Sequence, residues 1–194
     1  MSGHAVAGRR ERKRSDARAL VVEVALELFA ERGYSSVSVA EICEAADIAV
    51  RTFYRYFTTK DEVLAEPIRA LNERVRRDLL SSPSTSSDAE AMHEALLAAG
   101  AVVVLDRVQM SRLLRVVRQD GAPSHPFLRL ADREQDLALA LTKRRGSAAL
   151  DVPDWRTRLT VARSNAAFRV WLVDLVDGLT GDPLAHLREM LEAP

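Results

Sequence analysis

The sequence predicts an all-α protein with about nine helices, and three observations lead to this fold class. Apolar residues recur at helical spacing through most of the 194 residues, and no stretch of useful length alternates between apolar and polar residues. Clusters of Gly, Pro and Ser separate the apolar segments, most clearly at 81–87, 121–123 and 146–153. Two of the predicted helices also begin with the pattern of a capping box, S-x-x-E or T-x-x-E.

The first predicted helix spans about residues 15–32 and ends at Gly33, a residue that tolerates the left-handed backbone common after a helix. Its core-facing residues are predicted to be Leu20, Val24, Ala25, Leu28 and Phe29. A basic segment, opposed only by Glu11 and Asp16, begins before this helix, within residues 1–14, and continues into it. Its members are Arg9, Arg10, Arg12, Lys13, Arg14 and Arg18. We expect a flexible basic arm there, which either is a solvated tail or lies along nucleic-acid phosphates.

Two short helices joined by a tight turn are predicted between residues 33 and 61. Ser38 with Glu41 forms the capping box that starts the first short helix, and residues 46–48 supply the turn. The second short helix spans about 49–56. Its inward side is predicted to hold Val50, Phe53 and Phe57, which leaves Arg51, Thr52, Tyr54, Arg55 and Tyr56 mostly outside.

The next helix is predicted to open with a second capping box, Thr59 with Glu62, and it carries Lys60 in its first turn. A helix N-terminus and a cation can together hold a phosphate. Arginine can bind a guanine edge through two hydrogen bonds, and phenol groups can donate to phosphates. A short helix exposing such groups is typical of proteins that enter the major groove of DNA. An ordinary helical hairpin with an aromatic core is the alternative, and we prefer it only for Phe53 and Phe57.

Three motifs carry a family resemblance between residues 18 and 65. They are Ala25-Leu26-x-Leu28-Phe29-x-x-x-Gly33-Tyr34, Val37-Ser38-Val39-x-x-Ile42 and Thr52-x-Tyr54-x-Tyr56-Phe57-x-x-Lys60. In this order and spacing they resemble the DNA-binding domain of TetR-family transcriptional regulators. The resemblance implies that Thr52, Tyr54, Tyr56 and Lys60 contact phosphates and that Arg51 and Arg55 read bases. Ser38 completes the predicted DNA-binding set.

Two positions depart from the family pattern. Asp47 stands in the turn where the family usually has Gly, and Asp tolerates left-handed backbone better than most residues. Ala49 stands at the cap of the second short helix where the family usually has Ser, which predicts the loss of a cap worth about 0.5–2 kcal/mol. We therefore predict no phosphate contact for residue 49.

The chain is predicted to divide into the arm at 1–14, a helix-turn-helix DNA-binding domain at 15–62 and a larger helical domain at 63–194. Besides the helices already named, the spacing predicts helices over about 60–80, 88–105, 107–120, 124–145, 154–179 and 182–192. The serine-rich segment 81–87 is predicted to be a loop.

The segment 154–179 is apolar around most of its circumference after Asn165. A surface helix needs only one apolar stripe, so this helix is expected to pack both on its own core and on a second partner. By resemblance, the last two helices of two subunits form a four-helix bundle. The residues predicted for this dimer interface are Val170, Val173, Leu184, Leu187 and Leu191. A wholly intramolecular core is the alternative.

The resemblance also implies a small-molecule cavity in the larger domain. The predicted lining residues are Met92, Leu96, Leu113, Val117, Phe127, Leu137, Phe168 and Trp171, although plain core packing explains each of them as well. Aromatic residues make up only 5% of the chain, so an aliphatic cavity that suits a lipid-like or acyl chain is expected.

Composition and missing motifs restrict the function classes. A single cysteine fits a reducing compartment such as the cytoplasm, and no apolar run approaches a membrane span of roughly 18 residues. The formal net charge is +0, so charge alone does not indicate a nucleic-acid binder. The motifs of common hydrolases, phosphate-binding loops and metalloproteases are missing, and the four histidines are scattered. We therefore predict no enzyme activity, no metal site and no cofactor.

Together these observations predict a regulator that binds a palindromic DNA operator as a homodimer and is released by a small, largely apolar effector. Repression of transcription is the outcome that the resemblance implies, and activation is an alternative. A helical protein–protein adaptor without sequence-specific DNA binding is the alternative from another class.

Overall fold

The computed structural model describes residues 3–119, 130–146 and 152–193, and it describes side chains from residue 16 onward within those ranges, except at 130–132. All regular structure in these residues is helical, which confirms the predicted all-α class. The α-helices are α1 (Gly3–Arg32), α2 (Val39–Ala45), α3 (Val50–Tyr56), α4 (Lys60–Ser81), α5 (Asp88–Leu105), α6 (Arg107–Gln119), α7 (Leu130–Arg144), α8 (Trp155–Asp177) and α9 (Pro183–Glu192).

The observed helix bounds lie close to the predicted ones, except at the start of α1, and one short element is additional. Helix α1 begins at Gly3, so the structure extends the first helix into the segment predicted as a flexible arm. A short 3-10 turn at Tyr34–Ser36, which the sequence did not predict, connects α1 to α2. The predicted start of the seventh helix, at 124–129, and the predicted cavity residue Phe127 lie outside the described residues.

The chain forms two compact units. The first comprises Met1–Pro67 and Val108–His125, and the second comprises Ile68–Arg107 and Pro126–Pro194. The division therefore falls inside α4, close to the predicted boundary at residue 62, and α6 belongs with the first unit.

The core of the first unit is built on one face of α1. Val21, Ala25, Leu26 and Phe29 are fully buried there. Leu20, predicted to face the core, is instead 44% exposed, because the buried stripe is centred one residue further along the helix. An ion pair of 2.8 Å between Arg112 of α6 and Glu27 lies outside this core.

In the second unit, α5 approaches α8 and α9 closely at Gly100. A Cβ atom at this position would lie 2.6 Å from a methyl group of Leu187 and 3.3 Å from the Trp171 ring. Leu187 is fully buried, and the Trp171 indole N–H donates to the carbonyl of Pro183 at 2.6 Å. Glycine in a helix costs roughly 0.5–1 kcal/mol relative to alanine, and here it permits this close packing.

Leu187 and Leu191, which were predicted to lie in a dimer interface, belong to the core of their own chain. Leu187 is fully buried and Leu191 is 7% exposed in the single chain. The prediction was wrong for these two residues because α9, a helix of ten residues, packs on α5 and α8. This packing buries the part of its apolar stripe that contains Leu187 and Leu191.

A charged cluster joins α5, α7 and α8 within the second unit. The Asp88 carboxylate accepts from Arg144 at 2.9 Å and from the Thr157 hydroxyl at 2.8 Å, and it pairs with Arg145 at 3.2 Å. The Arg144 guanidinium is 1% exposed and also donates to the carbonyl of Pro83. Ion pairs of this kind are sensitive to the loss of one partner, since the other charge then stays buried.

Among the helices of the described residues, none combines the length and the apolar character that crossing a membrane requires.

Candidate nucleic-acid interface

Helix α2 begins with the capping box that the sequence predicts. The Ser38 hydroxyl accepts from the Glu41 backbone N–H at 3.2 Å, and the Glu41 carboxylate accepts from the Ser38 backbone N–H at 2.8 Å. The Ser38 hydroxyl also donates to the same carboxylate at 2.7 Å. Its hydrogen-bonding capacity is therefore largely used inside the cap.

The turn between α2 and α3 depends on Asp47. This residue has a φ of 51°, the left-handed conformation that glycine adopts easily, and the Ile48 N–H then donates to the Cys43 carbonyl at 3.0 Å. Aspartate is one of the few residues that tolerate this region at small cost. The substitution of the family's usual glycine is thus compatible with the turn.

Helix α3 begins without a side-chain cap, because Ala49 has no acceptor to offer. The first turn is closed by the backbone alone, with the Thr52 N–H donating to the Ala49 carbonyl at 2.7 Å. The predicted loss of a cap at residue 49 is confirmed. The first N–H groups of α3 therefore receive no acceptor from a side-chain cap.

The side chains of α3 separate into a buried and an exposed set. Phe53 is fully buried and Phe57, just after the helix, is 1% exposed, so both aromatics belong to the core as predicted. Tyr54 is 56% exposed, and Arg51 and Arg55 are also exposed. The half-buried positions are Thr52 and Tyr56. Val50, predicted to face inward, is 45% exposed because it lies at the first turn, ahead of the buried stripe.

Arg55 and Tyr56 contact each other on the exposed side of α3. The Arg55 guanidinium donates to the Tyr56 hydroxyl at 2.8 Å and lies 4.9 Å from the centre of the Tyr56 ring. Both groups keep further hydrogen-bonding capacity, since the guanidinium has five N–H donors and the hydroxyl can still donate.

Lys60, the predicted phosphate ligand at the start of α4, is held against the 3-10 turn. Its ammonium donates to the carbonyls of Tyr34 at 2.8 Å and Val37 at 3.0 Å, and it lies 4.3 Å from the Tyr34 ring centre. The Tyr34 hydroxyl donates to Asp61. Burial is the main cause that raises the pKa of Tyr34, and the Asp61 carboxylate adds to it. An ammonium has three donors, so one remains for a phosphate.

The predicted capping box at α4 is only half formed. The Thr59 hydroxyl accepts from the Glu62 N–H at 3.3 Å, as expected. The Glu62 carboxylate, however, accepts from the N–H of Thr58 at 2.7 Å, one residue earlier than a capping box requires.

Arg18 is a positioning residue whose role the sequence did not indicate. It follows the basic arm in the sequence, so it was grouped with the residues expected to lie along phosphates. Its guanidinium binds both carboxylate oxygens of Glu66 at 2.9 and 2.7 Å, and it donates to the Tyr56 carbonyl at 3.3 Å. It also covers the Phe57 ring at 4.5 Å from the ring centre. Arg18 thereby connects α1 and α4 to the end of α3.

The residues predicted to line an effector cavity are mostly closely packed. Leu113 and Val117 belong to the first unit, and Met92, Leu96, Leu137, Phe168 and Trp171 belong to the second, where none is more than 8% exposed. A groove of about 650 Å³ in the second unit is lined by α5, α8 and α9, including Trp155, Leu159 and Ala166. None of the seven predicted cavity residues that the structure describes lines it.

The short α2, the tight turn and the exposed polar face of α3 define a helix-turn-helix protein. The family model for bacterial regulatory proteins of the tetR family matches residues 21–66. The chain is 30% identical to the HTH-type transcriptional repressor KstR of Rhodococcus jostii over 170 residues, which are 73% of this chain and 79% of KstR. The chain therefore belongs to the TetR family and is a transcriptional regulator with a helix-turn-helix DNA-binding domain.

A second relative is the HTH-type transcriptional regulator TcmR of Streptomyces glaucescens, at 35% identity over 137 residues. This match covers 71% of the present chain but only 57% of TcmR, so the chain spans little more than half of that relative's length.

Solved structures share the fold of the chain. NalD, the secondary repressor of the MexAB-OprM multidrug efflux pump in Pseudomonas aeruginosa, has a TM-score of 0.58 and 20% identity, covering 93% of this chain and 94% of its own. A tetR-family transcriptional regulator from Streptomyces coelicolor has a TM-score of 0.56 and 20% identity, covering 91% of this chain and 78% of its own.

Proposed function

We propose that this protein is a ligand-responsive repressor that binds a palindromic operator as a homodimer in the cytoplasm. The observation that carries the proposal is the arrangement of α3, whose aromatic side is locked in the core while Arg51, Tyr54 and Arg55 are exposed together. Three polar side chains on one exposed short helix match the chemistry needed for base edges and phosphates.

The proposed roles follow from what each side chain has left to donate. Arg51 and Arg55 are assigned to base readout, since both guanidinium groups are exposed. Thr52, Tyr54 and Tyr56 are assigned to phosphates. Lys60 contributes its third N–H and the charge at the start of α4. Ser38 supports the surface through the α2 cap, because its hydroxyl is already bonded to Glu41.

Helix α8 supports the dimer part of the proposal because it carries two apolar faces. One face, which includes Val161, Phe168 and Trp171, is buried in the chain's own core. The other runs along the outside of the helix at spacings of four, eleven and three residues, which keep its members on one face. Its large apolar side chains are Trp155, Leu159, Val170 and Val173, which are 58%, 49%, 54% and 38% exposed. An exposed apolar stripe of this length is typical of a helix that packs against a second subunit.

The proposed interface is therefore the outward stripe of α8, together with the partly exposed Leu184 of α9. Two copies related by a two-fold axis would present two α3 helices to the two halves of an inverted repeat. The test is sedimentation of Val170→Asp, which should shift the protein from dimer to monomer. Val108→Asp, at a similarly exposed valine of the first unit, is the matched control and should leave the dimer intact. An intact Val170→Asp dimer contradicts the assignment.

Ligand control is proposed for the second unit. Its core is largely aliphatic, with Phe168 and Trp171 among its members, and it is closely packed. This favours a largely apolar effector that is accommodated by rearranging core side chains. A ligand shifts the balance between a DNA-binding and a released state only through its different affinity for the two states. Long-chain acyl compounds should therefore raise the melting temperature and release DNA, and failure of both effects argues against this class of effector.

DNA binding itself is tested by fluorescence anisotropy with the DNA immediately upstream of the protein's own gene. Arg55→Ala should weaken binding by roughly 5- to 150-fold and reduce sequence preference, since one bidentate base contact is worth about 1–3 kcal/mol. Affinity should also fall steeply as salt rises. Arg77→Ala, an exposed arginine of the second unit, is the control.

An adaptor that does not read DNA would show no salt-dependent binding and no effect of Arg55→Ala. Whether the bound protein represses or activates is decided by a reporter gene placed behind the same DNA. Repression predicts higher expression when the regulator is deleted.

A further inference from the structure

A small cavity with an arginine-rich lining lies between α4 and α7 in the second unit. Its volume is about 140 Å³. Arg69, Asn72, Glu73 and Arg76 line it from α4, and Arg133 and Leu137 line it from α7. Asp136 of α7, which is exposed, also belongs to the lining. The lining therefore contains three guanidinium groups and two carboxylates.

The three arginines do not have equal surroundings. Arg76 is neutralised by Glu73, which it binds through two hydrogen bonds of 2.8 and 2.7 Å. Arg133 is half-buried, and within the part of the chain that the structure describes it makes no hydrogen bond or ion pair. Burial accordingly lowers the pKa of Arg133. The guanidinium still carries its charge at neutral pH.

A partly buried charge without a counter-ion is costly, and it is usually neutralised by an acidic side chain or by a ligand. The planar guanidinium offers a fork of donors that matches a carboxylate or a phosphate. Asn72, also half-buried in the lining, can add an amide donor, while Leu137, 2% exposed, supplies an apolar wall. Among the described residues, the cavity therefore combines one cation without a hydrogen bond or ion pair, one neutral donor and one apolar surface.

We propose that this cavity is a binding site for a small anion, in which Arg133 holds the carboxylate or phosphate group of an effector. The proposal rests on the ligand response proposed above and gives that ligand a charged end. Drug-sized pockets measure roughly 300–1,000 Å³, so a cavity of this size accommodates a small acid or the head group of a larger molecule. Helix α4 carries both Lys60 at its start and four of the lining residues.

The experiment measures anion binding to the full chain directly by calorimetry, with butyrate, inorganic phosphate and the neutral analogue butyramide as probes. One of the two anions should bind at one per chain, and butyramide should bind at least roughly 10-fold more weakly, as expected when a charged hydrogen bond is lost. The stronger of butyrate and phosphate identifies the head group. Equal binding of butyramide overturns the proposal, as does the absence of binding by both anions.

Arg133→Met should weaken the preferred anion by roughly 10-fold or more, and Arg133→Lys by less, since it keeps the charge but loses the fork. Arg74→Met, an exposed arginine of α4 outside the cavity, is the matched control and should not change binding. Unchanged binding in Arg133→Met overturns the assignment.

Thermal unfolding gives a second readout that does not depend on affinity. Without anion, Arg133→Met should melt at or above the wild-type temperature, because the substitution removes an uncompensated charge. The preferred anion should raise the melting temperature of the wild type but not of the variant. A variant that melts well below the wild type shows that Arg133 already has a partner, and overturns the proposal.

Failure of the site and failure of the proposed function are separable. If the anion binds through Arg133 but does not release DNA, the site stands and the proposed ligand response is contradicted. If no anion binds while DNA binding persists, the site is contradicted and the DNA-binding role stands.

Discussion

Replacing Asp88 by alanine should destabilise the second unit more than any exposed substitution. Asp88 is the shared acceptor for Arg144, Arg145 and Thr157, and its side chain is only 13% exposed. Removing it leaves the Arg144 guanidinium, 1% exposed, with the Pro83 carbonyl as its remaining acceptor among the contacts seen. Loss of one partner from a buried pair costs about 3–5 kcal/mol.

That cost is large compared with a total stability of about 5–15 kcal/mol for a typical protein. For a chain of this size, each kcal/mol lowers the melting temperature by about 2–4 °C, so a fall of roughly 6–20 °C is expected. The assay is thermal and urea unfolding followed by circular dichroism. Glu94→Ala, an exposed acid on the same helix α5, is the control and should change stability by less than about 0.5 kcal/mol.

A double-mutant cycle separates the ion pair from other effects of Asp88, such as its favourable charge at the start of α5. Asp88→Ala combined with Arg144→Met should be more stable than the sum of the single changes predicts, because the buried Arg144 charge no longer remains without its partner, while Arg145 is 38% exposed and tolerates the loss of Asp88. A loss below about 1 kcal/mol for Asp88→Ala, or strict additivity in the cycle, would refute the reasoning.

Three further predictions concern packing and capping. Leu187→Ala should lower the free energy of unfolding of the chain by about 2–5 kcal/mol, because this side chain is fully buried against α5. Urea unfolding measures this change. A substitution that affects only the dissociation of the dimer would contradict the prediction. Ser38→Ala should cost about 0.5–2 kcal/mol in the same assay and weaken DNA binding, whereas an unchanged midpoint contradicts the capping role. Two hydrogen bonds from Ser38 lower the pKa of Glu41 below its usual value of 4.5. The larger effect comes from the Ser38 backbone N–H and the smaller one from its hydroxyl. The stability that Glu41 contributes is therefore present above pH 4.5 and lost as the pH falls through the lowered pKa. The difference in urea midpoint between the wild type and Glu41→Gln should shrink over that window, and a difference that grows there has the wrong sign.

Local sequence signals were sufficient to predict the structure of the helix-turn-helix segment, which consists of α2, the turn and α3. The S-x-x-E pattern at Ser38 predicted a cap that the structure shows, because a capping box depends on only four consecutive residues. The turn forms with Asp47 at positive φ because aspartate itself tolerates the left-handed conformation, which is again a property of a single residue. The buried state of Phe53 and Phe57 followed from helical spacing.

The errors arose where the partner of a residue is distant in sequence. Leu187 looks like an interface residue along its own helix, and only the close approach of Gly100 reveals that it is core. Arg18 looks like part of a basic arm, yet Glu66 pairs with it from 48 residues away. The isolation of Arg133 likewise depends on which side chains fold around it, so no pattern in the sequence could indicate it.

The most direct test of the central claim is selection of bound sequences from a random DNA library by the full-length protein. If a symmetric dimer reads DNA through α3, the selected sequences will share an inverted repeat, with half-site centres about 10 base pairs or a multiple of one helical turn apart. Selection by Arg55→Ala should lose bases at matching positions in both halves. A single asymmetric site, or no enriched sequence at all, would contradict the account.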